Sequence, residues 1–374
     1  MRVIRTFVLC CLVLTAASAA DYTMETGEIG DAAFSIARPA QWNGTLLLLA
    51  HGFRPESAPR VADLFPERSA YQLLLRDGWM VAKTSYRRNG TIIHDAIADL
   101  DALRAHIAVH FGAPTRVLIE GESMGGLIAT LIAERRPAID PLYHGVVAIA
   151  PAFHLRDPDP RGSALTMLPH LPIVFLTTRS ETEAARVYTA AKAGSDVERI
   201  RPALLRVNRD GHANINQAER LVALRMLHSW LDYGRESLPD PPDPSGFVDV
   251  TRIPEALPSR VFLDEDKRGF AASVSEVTRV YGNLLLDVQA GDFRTIGLQP
   301  KSYFEVTLRQ RSYRVLLGKD FSSVKRGEWV AFENADGFFW LARNGSSAAE
   351  TAEAQAGDVV HIRRYAETPD APER

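Results

Sequence analysis

Cysteine is nearly absent from the 374 residues, and the two that occur, Cys10 and Cys11, stand side by side near the amino terminus. The rest of the sequence therefore has no candidate for a disulfide, a thiol nucleophile or a zinc-thiolate site. It also lacks the H-E-x-x-H motif of zinc enzymes and the glycine spacings of phosphate-binding and dinucleotide-binding loops. We therefore predict no metal site and no cofactor.

An excess of positive charge is missing as well. Lysine and arginine number 43 against 46 aspartate and glutamate residues, which gives a formal net charge of −3. Proteins that bind nucleic acid through its phosphates carry a basic surface, so we predict no nucleic-acid partner. After residue 20, no apolar run reaches the ~20 residues that a membrane-spanning helix needs.

The first twenty residues, MRVIRTFVLCCLVLTAASAA, have the composition of a secretory signal. Arg2 and Arg5 precede an apolar run from Val8 to Leu14, and small residues follow it. This order is typical of a signal peptide, here cleaved near Ala20. The alternative is an uncleaved anchor, but the apolar run is too short to span a bilayer. We predict a secreted or periplasmic protein with no stable membrane span after cleavage.

Up to about residue 234, strand-like and helical segments alternate. Apolar runs predict strands at 45–50, 80–84, 116–120, 145–150, 173–177 and 203–207. Apolar residues at three- and four-residue steps predict helices at 70–76, 92–111, 126–135, 183–193 and 217–233. This alternation predicts an α/β domain over residues 21–235, with a mostly parallel sheet covered by helices on both faces.

A second domain follows a proline-rich segment. Residues 236–260 contain six prolines, which helix interiors and central strands exclude, so we predict a linker there. Short β-type runs come next, at 283–288, 303–308, 313–317, 329–332, 338–342 and 359–363. Because no helices separate them, they predict a small all-β barrel over residues 261–366, followed by a flexible tail at 367–374.

The segment VLIEGESMGGLIATL places one serine among three glycines between a predicted strand and a predicted helix. Gly121-Glu122-Ser123-Met124-Gly125 is the G-x-S-x-G pattern in the context of a nucleophile elbow. Small residues two positions before and after the serine are needed because this turn brings the strand and helix backbones together. We predict that Ser123 is a catalytic nucleophile.

A serine nucleophile needs a base and a carboxylate that orients the base. His212, in VNRDGHANI, follows the last predicted strand of the α/β domain and is our candidate base. The turn after the strand PIVFLTT contains Glu181, the preferred catalytic acid. Three other carboxylates remain alternatives: Glu183, and Asp157 or Asp159 after the preceding strand.

Acyl transfer also requires donors for the oxyanion of the tetrahedral intermediate. One is expected to be the backbone N–H of Met124, directly after the nucleophile. The other is expected in the loop after TLLLLAHGF, where His51-Gly52 ends the first strong core strand. We assign this second donor to Phe53.

Residues 42–234 resemble the α/β-hydrolase superfamily, with HGF, GESMGG and RDGH in that family's order and spacing. The stretches GWMVAKTSYRRNG and DLDALRAHI resemble secreted bacterial members of its peptidase-like and esterase-like branches. The resemblance implies an eight-stranded fold and a triad of Ser123, Glu181 and His212. The glutamate and its shifted position depart from the family's usual acid turn.

The segments VYGNLLLDV and GFFWLARNGSSAAETAEAQAGDVVHI resemble the carboxy-terminal β-barrel of S-adenosylmethionine hydroxide adenosyltransferases and halogenases. In that family the matching segments help to hold the adenosine part of the ligand. The resemblance therefore implies ligand-binding roles for Tyr281, Asn283, Arg343 and Gly345. The family's amino-terminal domain is replaced here by the hydrolase, so a complete adenosyl-transfer site is not expected from this chain.

These observations predict a secreted serine hydrolase that cleaves carboxylic esters through an acyl-enzyme on Ser123. The substrate is expected to be a small-molecule or polymer-linked ester, and the absence of room for a large cap insertion predicts an open cleft. The alternatives are a peptidase of the same fold, or a non-catalytic binding or assembly protein working through the β-domain. That domain is also the expected surface for a homo-oligomer.

Overall fold

The computed structural model describes residues 22–135, 142–155, 159, 161–191, 200–241, 246–254 and 257–365. Two β-sheets organise this part of the chain, one in each predicted domain. The predicted signal peptide, the predicted tail at 367–374 and the alternative acid Asp157 lie outside the described residues.

The first sheet has nine strands in the order β1-β2-β4-β3-β5-β6-β7-β8-β9. Their bounds are Tyr22–Ile29 (β1), Ala32–Pro39 (β2), Thr45–Ala50 (β3), Met80–Thr84 (β4), Arg116–Glu122 (β5), Gly145–Ile149 (β6), Ile173–Thr178 (β7), Ala203–Val207 (β8) and Val248–Asp249 (β9). The ladders from β4 to β9 are all parallel, whereas β1 pairs antiparallel with β2 and β2 antiparallel with β4. The predicted α/β-hydrolase fold is confirmed.

In the described part of the chain, five helices cover this sheet on both faces. They are Ser69–Arg76 (α1), Ile93–Phe111 (α2), Met124–Glu134 (α3), Thr182–Ala190 (α4) and Gln217–Tyr233 (α5). The apolar faces of α2 and α3, including Leu100 and Leu127, join one buried cluster with the sheet, together with Tyr188 of α4. Helices α1 and α5 join a second cluster on the opposite face, for example through Leu74 and Leu224. The central strands are therefore buried on both faces, which is why they read as continuous apolar runs.

The hairpin of β1 and β2 was not among the predicted strands. Its two strands pair in register from Tyr22↔Pro39 to Ile29↔Ala32 and are joined by Gly30 and Asp31, with Gly30 at φ +58°. A two-residue Gly-Asp connection is a recognised hairpin signal that could have identified it.

The proline-rich segment is not only a linker. Val248–Asp249 lies within the predicted linker at 236–260 and adds β9 to the edge of the sheet, parallel to β8. The first sheet therefore has one strand more than the eight that the family resemblance implies. The prolines do not prevent this, because they precede and follow a pairing only two residues long.

The second domain is a closed barrel. Its strands are Phe262–Leu263 (β10), Gly269–Val277 (β11), Leu284–Gln289 (β12), Tyr303–Leu308 (β13), Arg311–Leu317 (β14), Trp329–Glu333 (β15), Phe338–Arg343 (β16) and Val359–Arg364 (β17), with short helices at Ala290–Thr295 (α6) and Ala348–Ala352 (α7). Pairing of β11 with both β12 and β17 closes a ring of seven strands, and β10 attaches outside it. The predicted small all-β barrel is confirmed. Its core includes Phe270, Phe293 and Phe304, all fully buried.

Strand β11 was missed in the sequence because GFAASVSEV is rich in small residues, which carry a weak strand signal.

Within the described residues, no helix is long and apolar enough to cross a membrane. The same part of the chain contains no group of three or more histidine, cysteine, aspartate or glutamate side chains placed to hold a metal ion.

Candidate active site

Ser123 stands at a sharp turn between β5 and α3. Its backbone adopts φ +58° and ψ −119°, a conformation that a residue with a side chain rarely enters. The backbones around it approach so closely that a Cβ at Gly121 would lie 2.0 Å from the Gly125 carbonyl oxygen. A Cβ at Gly126 would likewise lie 2.9 Å from the Pro151 Cα. The glycines are therefore required by the close approach of the backbones, as the nucleophile-elbow pattern predicts.

The structure brings Ser123, His212 and Glu181 together across 89 residues of sequence. His212 Nε2 lies 2.8 Å from Ser123 Oγ, and His212 Nδ1 makes a very short hydrogen bond with Glu181 Oε1. With Nδ1–H donating to Glu181, Nε2 is free to accept the serine proton. This is the arrangement of a nucleophile, a base and an orienting acid.

The turn carrying Glu181 is fastened to the loop carrying His212. Glu181 Oε2 accepts hydrogen bonds from the hydroxyl of Thr178 at 3.0 Å and the backbone N–H of Ala213 at 3.1 Å.

The residues neighbouring Glu181 and His212 are joined as well. The Gly211 N–H donates to Ser180 Oγ at 3.2 Å, and the Arg179 N–H donates to the Arg209 carbonyl at 2.8 Å. Together with the contacts of Glu181, these hydrogen bonds fix Glu181 and His212 relative to each other.

Glu181 also determines the proton affinity of the imidazole. Its hydrogen bond to His212 raises the pKa of the histidine above 6.5, against the opposing effect of burial. The negative charge of Glu122 acts in the same direction. The protonated form of the imidazole is thus stabilised by the carboxylates around it.

The other candidate acids that the structure describes lie elsewhere. Glu183 is 71% exposed and pairs with Arg186 at 2.7 Å. Asp159 is buried, where it accepts hydrogen bonds from the backbone N–H groups of Arg161 and His94. Of the candidate carboxylates that the structure describes, Glu181 is the one that contacts His212.

The predicted oxyanion donors occupy suitable positions beside Ser123. Met124 is the first residue of α3, so its N–H belongs to the first turn, where a helix offers no acceptor of its own. The loop that carries Phe53 passes close to the nucleophile, since a Cβ at Gly52 would lie 3.2 Å from Ser123 Cβ. The geometry fits both assignments, which remain predictions.

Buried polar side chains stabilise the loop that carries Phe53. His51 is buried and contacts the carbonyls of Gly52 at 2.7 Å and Ser85 at 3.1 Å. Burial, with the charges of Arg54 and Lys83, lowers the pKa of His51 to about 3, so the ring is neutral at pH 7 and donates to one of the two carbonyls.

Arg54 is also buried. It donates to the Val61 carbonyl at 2.6 Å and to Asp63 at 2.5 Å, and Asp63 in turn pairs with Lys83 at 2.7 Å. These bonds fix the start of the loop to its later part and to strand β4.

An ion cluster that was not identified from the sequence lies beside the elbow, with the Arg220 and Glu120 side chains buried and the Glu122 side chain 42% exposed. Arg220 of α5 makes a very short ion pair with Glu120 and a second one, at 2.7 Å, with Glu122. The Tyr71 hydroxyl donates to Glu120 at 2.9 Å. Burial would raise the pKa of Glu122, but the charge of Arg220 prevails and lowers it. The residue preceding Ser123 is therefore an ionised carboxylate. The signal available in the sequence was Glu120, a charged residue directly after the apolar residues 117–119 of β5.

A cavity of about 380 Å³ opens beside the base, and both domains line it. The hydrolase domain contributes Glu122, His212 and Arg220, and the barrel contributes side chains including Phe332 and Trp340. This volume lies within the usual range for small-molecule sites. The second domain therefore forms one wall of the cleft that was predicted to be open. The prediction considered only the lack of a cap insertion and not the position of the barrel.

Carboxylates of the barrel also face this cavity. Loss of surrounding water raises the pKa of Glu333 and of Asp336, both of which line it. Asn216, in the loop that follows His212, joins the two domains nearby through a 3.4 Å hydrogen bond from its amide to the Ala335 carbonyl.

Two of the four barrel residues expected to bind a ligand have their side-chain donors engaged within the protein. Arg343 donates to the Gly327 carbonyl at 2.8 Å and to Thr351 Oγ1 at 2.7 Å. The Tyr281 hydroxyl donates across the domain boundary to the Phe53 carbonyl at 2.5 Å.

The other two belong to turns. The Asn283 N–H donates to Thr278 Oγ1 at 2.9 Å, and Gly345 adopts φ +70° in the turn between β16 and α7. Their ligand-binding roles remain predictions.

Two family models match the chain. Residues 85–199 match the model described as serine aminopeptidase, S33, and residues 280–361 match the SAM hydroxide adenosyltransferase C-terminal domain. Both resemblances found in the sequence are thereby confirmed. No curated protein matches the sequence.

Similar solved structures include an esterase/lipase from an uncultured bacterium, with 14% identity, a TM-score of 0.40, and coverage of 59% of this chain and 86% of that one. A post-proline cleaving enzyme from Rickettsia typhi has 14% identity, a TM-score of 0.41, and coverage of 57% and 37%. An uncharacterized conserved protein from Thermotoga maritima has 21% identity, a TM-score of 0.26, and coverage of 38% of this chain and 49% of that one. The chain thus spans about half the length of the Thermotoga protein.

Proposed function

We propose that this α/β-hydrolase is a serine hydrolase that cleaves carboxylic esters through an acyl-enzyme on Ser123. The observation that carries the proposal is the hydrogen-bonded chain from Ser123 Oγ through the His212 ring to Glu181. A strained elbow conformation at the serine accompanies it. A serine with only a structural role requires neither the strain nor the aligned base.

In this mechanism, neutral His212 takes the proton from Ser123 Oγ through Nε2 while Oγ attacks the acyl carbon. The backbone N–H groups of Met124 and Phe53 stabilise the resulting oxyanion. The imidazolium then gives its proton to the leaving alcohol oxygen. A water molecule, deprotonated by His212, attacks the acyl-enzyme and releases the acid, and the proton returns to Ser123. Glu181 orients the ring through its hydrogen bond to Nδ1 and stabilises the imidazolium.

Esters are favoured over peptides because an alcohol leaves more readily than an amine and needs less help from the protein. The interdomain cavity beside His212 supports a small-molecule acyl or alcohol group. A peptidase uses the same triad, so the substrate class has to be tested separately from the nucleophile.

The first test is labelling of the purified protein with a fluorophosphonate, which reacts with activated serines. We expect the wild type to be labelled, and the Ser123→Ala and His212→Ala variants to be unlabelled. Ser229→Ala, a change on α5 away from the elbow, is the matched control and should label like the wild type. A folded wild type that is not labelled would contradict the proposal and favour a binding or assembly protein.

The second test compares p-nitrophenyl esters with p-nitroanilides of the same acyl groups. We expect ester cleavage that Ser123→Ala abolishes, with anilide cleavage at least a hundredfold slower. Faster cleavage of the anilides would identify a peptidase.

We also propose that residues 1–20 direct export, on the strength of their sequence pattern. Expression of the full chain in a bacterial host, followed by fractionation and mass spectrometry, should give a periplasmic or secreted product whose amino terminus lies near Asp21. An intact amino terminus in the membrane fraction would indicate an anchor instead.

A further inference from the structure

One hydrogen bond connects the barrel directly to the oxyanion loop. The Tyr281 hydroxyl donates to the Phe53 carbonyl oxygen at 2.5 Å, although 228 residues separate the two in sequence. Phe53 is the residue whose N–H is expected to bind the oxyanion. The Phe53 N–H and carbonyl lie in two successive peptide planes that meet at the Phe53 Cα, so holding the carbonyl plane restricts the backbone rotation at Phe53 by which the N–H could turn away from Ser123.

The other supports of this loop come from the hydrolase domain and act on its neighbours. His51 and Arg54, on either side of the loop, are buried and hydrogen-bonded beneath it. Phe53 itself is 46% exposed, so packing does little to fix its backbone. The contact from Tyr281 restrains the part of the loop that the hydrolase domain leaves exposed.

The barrel also forms part of the wall of the cavity beside His212. Phe332 and Trp340 of the barrel line the same cavity as His212. The hydrogen bond from Asn216 to the Ala335 carbonyl joins the two domains a few residues after the base. The barrel therefore contacts the oxyanion loop at one point and the segment after the base at another.

We propose that Tyr281 is a positioning residue for the oxyanion loop, and that the barrel domain completes the active site of the hydrolase. The inference rests on the proposed function of Ser123 and extends it. The hydroxyl of Tyr281 holds the Phe53 carbonyl and thereby restrains the backbone at Phe53 so that its N–H keeps the orientation that stabilises the transition state, and turnover depends on the docked barrel.

The test is Tyr281→Phe in the full chain, which removes one oxygen atom and keeps the ring. The matched control is Tyr303→Phe, the same change at an exposed barrel tyrosine whose ring stacks with Arg314 and does not line the cavity. We measure kcat and KM for a p-nitrophenyl ester, the rate constant of fluorophosphonate labelling, and the melting temperature.

We expect Tyr281→Phe to lower kcat and the labelling rate constant by about tenfold, because a misplaced oxyanion donor weakens transition-state binding. KM should stay within about twofold, and Tyr303→Phe should match the wild type in every measurement. If Tyr281 has only a structural role, Tyr281→Phe lowers the melting temperature but keeps the wild-type kcat at temperatures well below the melting temperature. That result would overturn the proposal.

Hydrogen exchange provides an independent measurement. Peptides covering residues 51–58 should exchange faster in Tyr281→Phe than in the wild type, and in Tyr303→Phe they should not. Unchanged exchange in Tyr281→Phe would overturn the positioning role.

The outcomes distinguish this inference from the proposed function. A wild type that is neither labelled nor active overturns both. A wild type that is active, together with an equally active Tyr281→Phe, overturns only the role of Tyr281.

Discussion

Gly125 lies so close to Ala50 that a Cβ on Gly125 would approach the Ala50 carbonyl oxygen to 1.9 Å. This contact joins the start of α3 to the end of β3, the strand that leads into the oxyanion loop. Ser123 and the loop predicted to hold the oxyanion are thus kept adjacent by a close approach of backbones, which only glycine permits.

We predict that Gly125→Ala strongly destabilises the hydrolase domain, because a methyl group would meet backbone atoms that cannot move aside. The expected loss in the free energy of unfolding is about 3 kcal/mol or more, measured by urea denaturation. Gly291→Ala is the control, since a Cβ at that helical position meets nothing closer than 3.7 Å. It should be neutral or stabilising by up to about 1 kcal/mol. Equal stabilities of the two variants would contradict the prediction.

The pH dependence of hydrolysis should reveal the hydrogen bond between Glu181 and His212. The reaction requires neutral His212, so the rate rises as pH increases through the pKa of this histidine. Because Glu181 raises that pKa, the acidic limb of kcat/KM in the wild type is expected above pH 6.5. Glu181→Gln should move the limb to lower pH and reduce kcat by about a hundredfold to ten-thousandfold.

Glu183→Gln is the control for this change. Glu183 is largely exposed and pairs with Arg186 rather than with the base, so kcat and the pH profile should stay within about twofold of the wild type. A greater loss in Glu183→Gln than in Glu181→Gln would identify Glu183 as the acid.

The ion cluster beneath the elbow should contribute strongly to stability. Arg220→Gln leaves the carboxylate of Glu120, which is 3% exposed, without its cationic partner. We expect the free energy of unfolding to fall by about 3–5 kcal/mol, as for other buried ion pairs that lose one member.

Arg225→Gln, also on α5, breaks an ion pair with Asp77 in which both side chains are about half exposed. Thermal denaturation should show a change within about 1 kcal/mol for this control. A loss in Arg220→Gln as small as that of the control would show that the buried pair contributes little.

Acidification should destabilise the protein through His51. Its pKa is about 3 in the folded chain against 6.5 for an unperturbed histidine, so between these values the unfolded state binds a proton that the folded state does not. This contribution is fully present above pH 6.5 and is lost as pH falls towards 3. At about 1.4 kcal/mol per pKa unit, the loss approaches roughly 4 kcal/mol.

His51→Gln cannot take up this proton. Urea denaturation as a function of pH should therefore show a shallower decrease in stability between pH 6.5 and 4 than in the wild type. His154→Gln, at an exposed position, should keep the wild-type slope. Parallel pH curves for all three proteins would contradict the assignment.

The sequence by itself determined the two-domain fold and most of its elements. Apolar runs identified the six central strands of the first sheet because those strands are buried on both faces, and helical periodicity identified all five helices around it. The order of elements placed Ser123, Glu181 and His212 after three different strands. Since the carboxyl ends of parallel strands share one edge of a sheet, their meeting was predictable without a structure.

Only the tertiary structure decided which carboxylate reaches the base, because Glu181 and Glu183 stand in the same turn-to-helix segment and differ in the direction of their side chains. It also decided that Arg220, about 100 residues further along the chain, pairs with the two carboxylates before the nucleophile. The contact between Tyr281 and Phe53 arises from the docking of one domain on the other. Periodicity and motifs predict local secondary structure and which side of an element is buried. Contacts between distant surfaces depend instead on how the complete domains pack together.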